Sequence, residues 1–452
     1  MGLALQKHDV GNARETIVIG LGETGLSVAQ YLSKNDIAFT MFDTRSSPPK
    51  LQLFRQSFPS VEIYLGEFVS SLFTQAERVI VSPGIDINQD VIREAVAVNG
   101  CECIGDIELF ARSTTKPIVA ITGSNGKSTV TSLLAEMASS ASVKAYAGGN
   151  LGPPALDLLS YDDAELFVLE LSSFQLESTQ SLQPEVSVVL NISPDHLDRH
   201  GDVGNYAQIK EHVYSNAKIS VINRGDEYVS RMKTSGNVIS FGLGQPAEGE
   251  FGLIKKNESS FLILGNKCLL PVSELALQGE SGILNSLAAL AIGHALKLPM
   301  QKMLSKLKDF KGLPHRLALV AEYAGVSWFN DSKGTNIGAT ISSLRSLNKN
   351  IILIAGGIFK GGDLTQLREA VVKHVKHVIL LGQDASVLQQ ELKGTSPIDM
   401  ASSMSDAVAI ARRYATAGDQ VLLSPACSSF DMYKNYIERG CDFENCVKSL
   451  MS

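Results

Sequence analysis

The stretch TGSNGKST, residues 122–129, follows the apolar run PIVAI (117–121) and leads into VTSLLAEMAS, which reads as a helix. A β-branched run, a glycine loop, Lys-Ser and a helix, in that order, are the parts of a phosphate-binding turn in an α/β layer. Glycines let backbone N–H groups turn inward around a phosphate, and the helix N-terminus adds partial positive charge. Lys127 is placed to reach the outer phosphates of a nucleotide, and the Ser128 hydroxyl to hold Mg²⁺. The loop is a shortened G-x-x-G-K-S form, because Ile121 stands where the common motif has its first glycine. An ordinary glycine-rich turn is the competing reading.

Similar runs recur on both sides: TIVIG (16–20), IAFTMFD (37–43), RVIVSPG (78–84), ELFVLELSS (165–173), EVSVVLNIS (185–193), ISVIN (219–223), IILIAGG (351–357), HVILLG (377–382) and QVLLSP (420–425). Buried strands alternating with helical patterns predict parallel sheets. Most runs end in Gly, Ser, Asn or Pro, where such sheets present their ligand loops. A length of 452 residues suggests about three domains. The polar seams ARSTTKP (111–117) and KGLPHR (311–316) divide the chain into 1–113, 114–313 and 314–452. A weaker alternation over 237–271 suggests a small β excursion.

Net charge is −7 with no basic block, so nucleic acid is not an expected partner. No apolar run reaches the roughly 18 residues that span a bilayer. The start, MGLALQKHDVGNARE, lacks a secretory pattern, and Gln6 stands where myristoylation favours Ser or Thr. A cytoplasmic protein without membrane insertion is expected. The six cysteines read as reduced, buried thiols. His374 and His377 (HVKH) read as helix-end or surface residues.

GLGETG (20–25) follows a strand, and Asp43 ends the next. This reads as a dinucleotide fold with Asp43 on a ribose hydroxyl, though any nucleotide diphosphate could use the turn. Glycines serving only strand–helix packing would give the same letters. Glu170 ends an apolar strand, where an acid is costly unless it meets a metal or a partner; an exposed edge or helix cap is the plainer alternative. His196 lies in a Pro-Asp-His-Leu-Asp loop, where a solvated histidine competes with a metal ligand.

Read with ELSSFQLE (170–177), NISPDHLDRH (191–200), GLPHR (312–316) and NDSKGTN (330–336), the glycine loop resembles the Mur ligase family, in family order across all three segments. GLGETGLS with DTR (43–45), ELSSFQLE, GGIFKGGD (356–363) and LLSPACSSFDMYKNYIERG (422–440) resemble its D-glutamate-adding branch. The DNPR-type motif of siblings that add diaminopimelate or lysine is absent from the sequence. The resemblance implies three α/β domains: a Rossmann-like N-terminal domain for a UDP-linked substrate, a central P-loop ATPase-like domain, and a Rossmann-like C-terminal domain for the amino acid. It implies an ATP- and Mg²⁺-dependent amide ligase of peptidoglycan synthesis, acting as a monomer. That ligase would join D-glutamate to UDP-N-acetylmuramoyl-L-alanine through an acyl phosphate. Such a reaction brings a carboxylate against a triphosphate, and each like-charge contact at about 4 Å costs roughly 4 kcal/mol at an effective dielectric near 20. Cations must offset several charges at once, and domain closure before chemistry is expected.

By resemblance, Gly123, Ser124, Asn125, Gly126, Lys127, Ser128 and Thr129 seat ATP together with Asn285, Arg316, Asp331 and Lys333. Lys127, His196 and Lys210 form the catalytic set. Ser128 and Glu170 hold one Mg²⁺ and His196 a second. Lys210 matches a lysine that the family carbamylates, which would turn a cation that repels Mg²⁺ into an anionic oxygen ligand; from the residues alone it reads as a solvated helical lysine. Thr24, Asp43, Thr44, Arg45, Ser82, Pro83 and Gly84 match positions for the UDP substrate. Asn150, in the GGN turn (148–150), would touch that substrate or its metal shell, or serve only as a turn residue. Thr335, Lys360, Ser429, Phe430 and Tyr436 match positions for D-glutamate. One departure stands out. The family has His-Asn within G-x-H-N-x-x-N, whereas residues 279–285 read GESGILN, with Ser281 and Gly282 in those places and only Asn285 retained. ATP is expected to bind more weakly there, or differently. The rivals are an NAD-dependent oxidoreductase, which leaves TGSNGKST and NDSKGTN unexplained, a non-catalytic nucleotide-binding regulator, and a sibling ligase, including a folylpolyglutamate synthase-like one.

Overall fold

In the computed structural model, which describes residues 15–67, 73, 76–347 and 350–450, the apolar runs become strands of three sheets. Residues 1–14, on which the reading of the N-terminal segment rests, lie outside the described ones. The chain divides into two compact units, residues 1–118 with 146–183 and residues 119–145 with 184–452.

In the first unit, β1 (Glu15–Ile19), β2 (Phe39–Asp43), β3 (Ile63–Leu65), β4 (Ala76–Val81) and β5 (Glu102–Gly105) form a parallel sheet ordered β3-β2-β1-β4-β5. The order reverses between β1 and β4, which makes the loops after these strands the expected ligand crevice. Those loops meet, since Ser82 Oγ donates to the Gly20 carbonyl at 2.9 Å. Next in the chain is β6 (Ile118–Thr122), whose C-terminal end opens the second unit; β7 (Ala145–Gly149) and β8 (Leu166–Glu170) follow it. Residues 146–183 return to the first unit through buried acids at the start of helix Asp106–Ser113. Glu108 accepts from the amides of Gln180 and Ser181 at 2.7 and 2.8 Å, and Asp106 accepts from Gln175 Nε2 at 3.2 Å.

In the second unit β6 pairs with β9 (Val186–Val189), and β10 (Ile219–Asn223), β11 (Asn237–Phe241), β12 (Phe251–Lys256), β13 (Ser259–Leu264) and β14 (Lys267–Pro271) follow outward. Pairing is parallel as far as β12 and antiparallel beyond it, so the weak alternation over 237–271 is indeed a β excursion. The third sheet contains β15 (Ala318–Tyr323), β16 (Val326–Asn330), β17 (Ile351–Ala355), β18 (Val375–Leu380), β19 (Ile398–Met400) and β20 (Gln420–Leu423), ordered β15-β16-β20-β17-β18-β19. Only β15 is antiparallel to its neighbour. Leu353, Val378 and Leu422 face one apolar cluster, and Ile352, Ile354 and Val421 face the other. Burial on both faces is why these strands are apolar without a break. Helix Gly279–Ala295 packs on helix Lys127–Ser140 and on helix Ile337–Leu347, joining the glycine loop to the third sheet.

Two expectations change. His374 ends helix Thr365–His374 and His377 lies in β18, and both are buried, so the surface reading fails. An interior strand places His377 against Asp399, with Nε2 and Oδ2 2.8 Å apart. All six cysteines are free, but only Cys101 and Cys427 are buried, while Cys268 and Cys441 are exposed. Among the described residues no helix is long and apolar enough to cross a membrane.

Asp106 supplies a test of the first unit's packing. Its carboxyl is buried, and Oδ1 has no hydrogen-bond partner among the described residues. Burial pushes its pKa up to about 6, against the opposing pull of Gln175 and nearby amides. A carboxyl whose folded pKa exceeds its unfolded value costs stability increasingly as pH rises from about 4 to 6. Asp106→Asn should therefore raise the urea midpoint at about pH 8, with a gain that shrinks below pH 6 and vanishes near pH 4. A gain independent of pH would contradict this origin.

Candidate active site

Thr122 ends β6, and the loop beyond it needs glycine. Gly123 and Gly126 have φ of 145° and 86°, a region that side chains disfavour. The neighbouring strand's loop holds this turn: Ser124 N donates to the Asn191 carbonyl at 2.9 Å, and Asn125 N to Asn191 Oδ1 at 2.8 Å. Lys127 opens the helix, and its Nζ donates to the carbonyls of Gly123 and Ser124 at 2.7 and 3.0 Å. Ser128 is buried, and its Oγ accepts from Arg316 Nη2 at 2.5 Å.

A cavity of about 580 Å³ opens beside this loop. Asn125, Gly126 and Thr129 line one side, Ser281, Gly282 and Asn285 line the helix start, and Arg316, Asp331 and Lys333 come from the third segment. Residues far apart in the chain thus meet at one space. Asp331 Oδ1 accepts from Leu317 N at 3.2 Å, and its Oδ2 from Ser343 and Ser424 hydroxyls at 2.7 and 2.8 Å. Burial pushes its pKa up to about 6, partly countered by Ser343, Ser424 and Arg316. Lys333 Nζ lies 4.1 Å from the centre of the Tyr436 ring.

A second cluster surrounds Asp195, which the sequence did not single out. Its Oδ1 is 3.7 Å from both His196 Nε2 and Lys360 Nζ, and its Oδ2 accepts from Asn336 Nδ2 at 2.9 Å. Burial would raise its pKa, but Lys360, His196, the Asn336 amide and Lys127 outweigh burial and hold it below the usual carboxylate range. His196 has a left-handed backbone and caps helix Leu197–His200. Burial, helped by Lys360 and Lys127, pulls its imidazole below its ordinary value despite Asp195 and Asp198. Neutral imidazole is the metal-binding form. Asn336 was also missed; the signal available was an acid beside the histidine and an amide ending NDSKGTN.

Lys210 lies in helix Val203–Glu211 and is 1% exposed, which removes the reading of a solvated lysine. Its Nζ donates to Thr122 Oγ1 at 3.1 Å and lies 4.7 Å from the centre of the Tyr206 ring. In the first unit, Glu170 ends β8, buried. Its Oε1 accepts from Asn150 Nδ2 at 2.7 Å, while Oε2 has no hydrogen-bond partner among the described residues. A buried carboxylate oxygen without a donor fits a cation. Of the expected metal set, Ser128, His196 and Lys210 lie in the second unit and Glu170 in the first. Part of ELSSFQLE has a local role, since Ser172 and Gln175 form a capping box at helix Ser173–Glu177.

Asp43 is also committed. Its oxygens accept from Leu21 N at 2.6 Å and from the Arg45 backbone and guanidinium at 2.7 to 2.9 Å. Burial would raise its pKa, but Arg45 and the Leu21 amide hold it low. It therefore orients the glycine turn and Arg45. Thr24 lies in the first turn of helix Glu23–Lys34, Thr44 follows β2, and Ser82, Pro83 and Gly84 follow β4. Thr335, Lys360 and Ser429 follow β16, β17 and β20, which are adjacent strands, so their loops are neighbours. Ser429 is buried, Thr335, Lys360 and Tyr436 are partly buried, and Phe430 is 71% exposed and is not brought in with them.

Family models match in the same chain order: a Mur ligase MurD-like N-terminal domain at 14–105, a Mur ligase middle domain at 121–293, and a Mur ligase glutamate ligase domain at 315–427. The chain belongs to the Mur ligase family. UDP-N-acetylmuramoylalanine–D-glutamate ligase of Legionella pneumophila (strain Paris) is 44% identical over 442 residues, covering 96% of this chain and 99% of that one. The enzyme of the same name from Pseudomonas aeruginosa is 44% identical over 440 residues, covering 96% and 98%. Among solved structures, a pseudomurein peptide ligase type C from Methanothermus fervidus has a TM-score of 0.62 at 18% identity, covering 97% of this chain and 100% of that one. The MurF ligase of Thermotoga maritima, in complex with ADP, has 0.58 at 17%, covering 96% and 95%. These share the Mur ligase fold of three α/β domains.

At the family's His-Asn position the packing has closed. A Cβ on Gly282 would stand 2.7 Å from the carbonyl of Leu277, and Ser281 Oγ contacts Ser342 Oγ. Gly282→Asn should cost about 1–3 kcal/mol in chemical denaturation, as overpacking does, without tightening ATP in a calorimetric titration. Tighter ATP at unchanged stability would show that the family's side chain still fits.

Proposed function

We propose that this Mur ligase adds D-glutamate to UDP-N-acetylmuramoyl-L-alanine with ATP, through an acyl phosphate, as a cytoplasmic step of peptidoglycan precursor synthesis. The observation that carries the reading is the cavity where the glycine loop faces Arg316, Asp331 and Lys333, with the Lys360 cluster on an adjoining loop. On this reading residues 1–113 take the UDP moiety, 114–313 the ATP phosphates, and 314–452 the amino acid.

Lys127, Arg316 and Lys333 bring positive charge to the triphosphate, and Gly123 to Thr129 surround it with amides and hydroxyls. Asp331 and Asn285 place the nucleotide. Thr24, Asp43, Thr44, Arg45, Ser82, Pro83 and Gly84 receive the UDP substrate, and Asn150 orients Glu170 beside it. Thr335, Lys360, Ser429 and Tyr436 receive D-glutamate, with Lys360 paired to a carboxylate, while the exposed Phe430 stands apart from them. Ser128, Glu170, His196 and a carbamylated Lys210 would hold Mg²⁺, which supplies charge neutralisation between triphosphate and carboxylate. Burial supports carbamylation at Lys210. An ammonium at that depth is costly; after losing one proton its neutral amine can add CO₂ and release a second proton, giving a carbamate beside the Thr122 hydroxyl whose own buried charge Mg²⁺ would offset. The D-glutamate amine is the nucleophile, so no side chain is required to form a covalent bond with substrate.

Purified protein given Mg²⁺, ATP, UDP-N-acetylmuramoyl-L-alanine and D-glutamate should release phosphate only when all are present. A panel of amino acids against UDP-linked and folate acceptors should single out D-glutamate; no release, or preference for another amino acid, would overturn the assignment. Lys210→Ala should lower turnover about a hundredfold or more, with partial rescue by a small carboxylate. Full activity without rescue would show the lysine to be dispensable.

A further inference from the structure

Arg439 is 3% exposed, in the second turn of helix Tyr436–Ser449, and touches no substrate position assigned above. Among the described residues its guanidinium donates three hydrogen bonds, all to uncharged oxygens. Nε reaches Ser332 Oγ at 3.0 Å, Nη2 the Ser332 carbonyl at 2.8 Å, and Nη1 the Cys427 carbonyl at 3.2 Å. These acceptors lie 107 and 12 residues away in the chain. Ser332 sits between Asp331 and Lys333 on the nucleotide side, and Cys427 lies two residues before Ser429 on the amino-acid side. The same helix closes a third link, because Ser332 Oγ donates to the Tyr436 carbonyl at 2.8 Å and the Tyr436 ring lies beneath Lys333 Nζ.

A buried guanidinium is an expensive way to fill space, since an apolar side chain of similar volume would pack without desolvating a charge. What an apolar side chain cannot do is hold two loop backbones in one fixed relation. Arginine's planar fork meets acceptors from both loops at once, which a lysine ammonium on a flexible stem cannot reproduce.

We propose that Arg439 is a positioning residue that locks the nucleotide loop, Asp331 to Lys333, to the amino-acid loop, Cys427 to Ser429, so that ATP and D-glutamate are presented to each other in register. The inference rests on the function proposed above, and its test is separable. Wild-type turnover with D-glutamate tests that function, and only the pattern of variant constants tests Arg439.

The comparison is Arg439→Lys, Ser332→Ala and the double variant, each with KM for all three substrates, kcat and a thermal melt. Arg439→Lys should raise KM for ATP and for D-glutamate together by about tenfold to a hundredfold, the scale of lost hydrogen bonds to a charged group. KM for UDP-N-acetylmuramoyl-L-alanine should stay within about twofold. Ser332→Ala removes the hydroxyl bonded by both Arg439 and Tyr436, and should give the same pattern at smaller size. The double variant should be less than additive, since both changes break one network. Wild-type KM values in Arg439→Lys, a rise in only one of the pair, or an equal rise in all three would overturn the proposal. If Arg439→Lys does not fold, Ser332→Ala decides. A joint rise in its two constants supports the lock, and unchanged constants refute it.

Discussion

A triphosphate and a carboxylate repel each other, and the polar side chains of this Mur ligase are arranged around that repulsion. The cations that offset it on the proposed reading are already fixed. Lys127 lies against two carbonyls of its own loop, Arg316 against the Ser128 hydroxyl, and Lys333 over the Tyr436 ring. Ordering a long side chain on binding costs affinity, and here folding has met much of that cost beforehand. These contacts are to carbonyls, a hydroxyl and a ring face, while Lys127 also acts on the Asp195 carboxylate and Arg316 on that of Asp331. Lys360 forms an ion pair. Its partner Asp195 is a carboxylate, also shared with His196 and Asn336, and on the proposed reading an incoming acid would compete with it.

That arrangement requires residues from distant parts of the chain to converge, and the sheets achieve it through strand ends. The glycine loop and the Asp195 loop follow β6 and β9, which are adjacent in the sheet. The loops with Asp331, Lys360 and Ser429 follow β16, β17 and β20, with β20 between the other two. A parallel sheet points every strand's C-terminal end the same way, so loops from neighbouring strands share one edge. Helix Gly279–Ala295 packs against strands β9 to β12 and against helix Ile337–Leu347, and its Asn285 lines the same cavity as Arg316.

This geometry explains what could be read from the letters. Ten apolar runs fell on strands because burial on both faces leaves no polar alternation to obscure them. Among the strands not anticipated, β3 and β19 are three residues each, and β15 carries a solvent-facing residue at Leu319. Gly123 and Gly126 were legible because their backbone conformations exclude most other residues. Asp195 and Asn336 were not, because they lie 141 residues apart and no local pattern encodes their pairing. Burial of single polar residues was equally hidden. Lys210 and His377 read as ordinary surface residues, yet both lie inside.

The departure at Ser281 and Gly282 needs a different account, because something absent from a motif can be a lost ligand or a changed packing. Gly282 lies so close to the Leu277 carbonyl that a Cβ would have to displace main chain, and Ser281 touches Ser342 on the facing helix. A vacancy left by a deleted side chain would look different, with open space where Asn had been. Here the helix start lies against the loop before it, and Leu277, Ser281 and Gly282 line the cavity together. On the proposed reading nucleotide binding is weighted toward the phosphate end, where Lys127, Arg316 and Lys333 would make charge-assisted contacts roughly twice as strong as the neutral bonds a base-facing amide would offer. A helix whose first turn gives up a polar contact can stay in place because its neighbours on both sides hold it by packing.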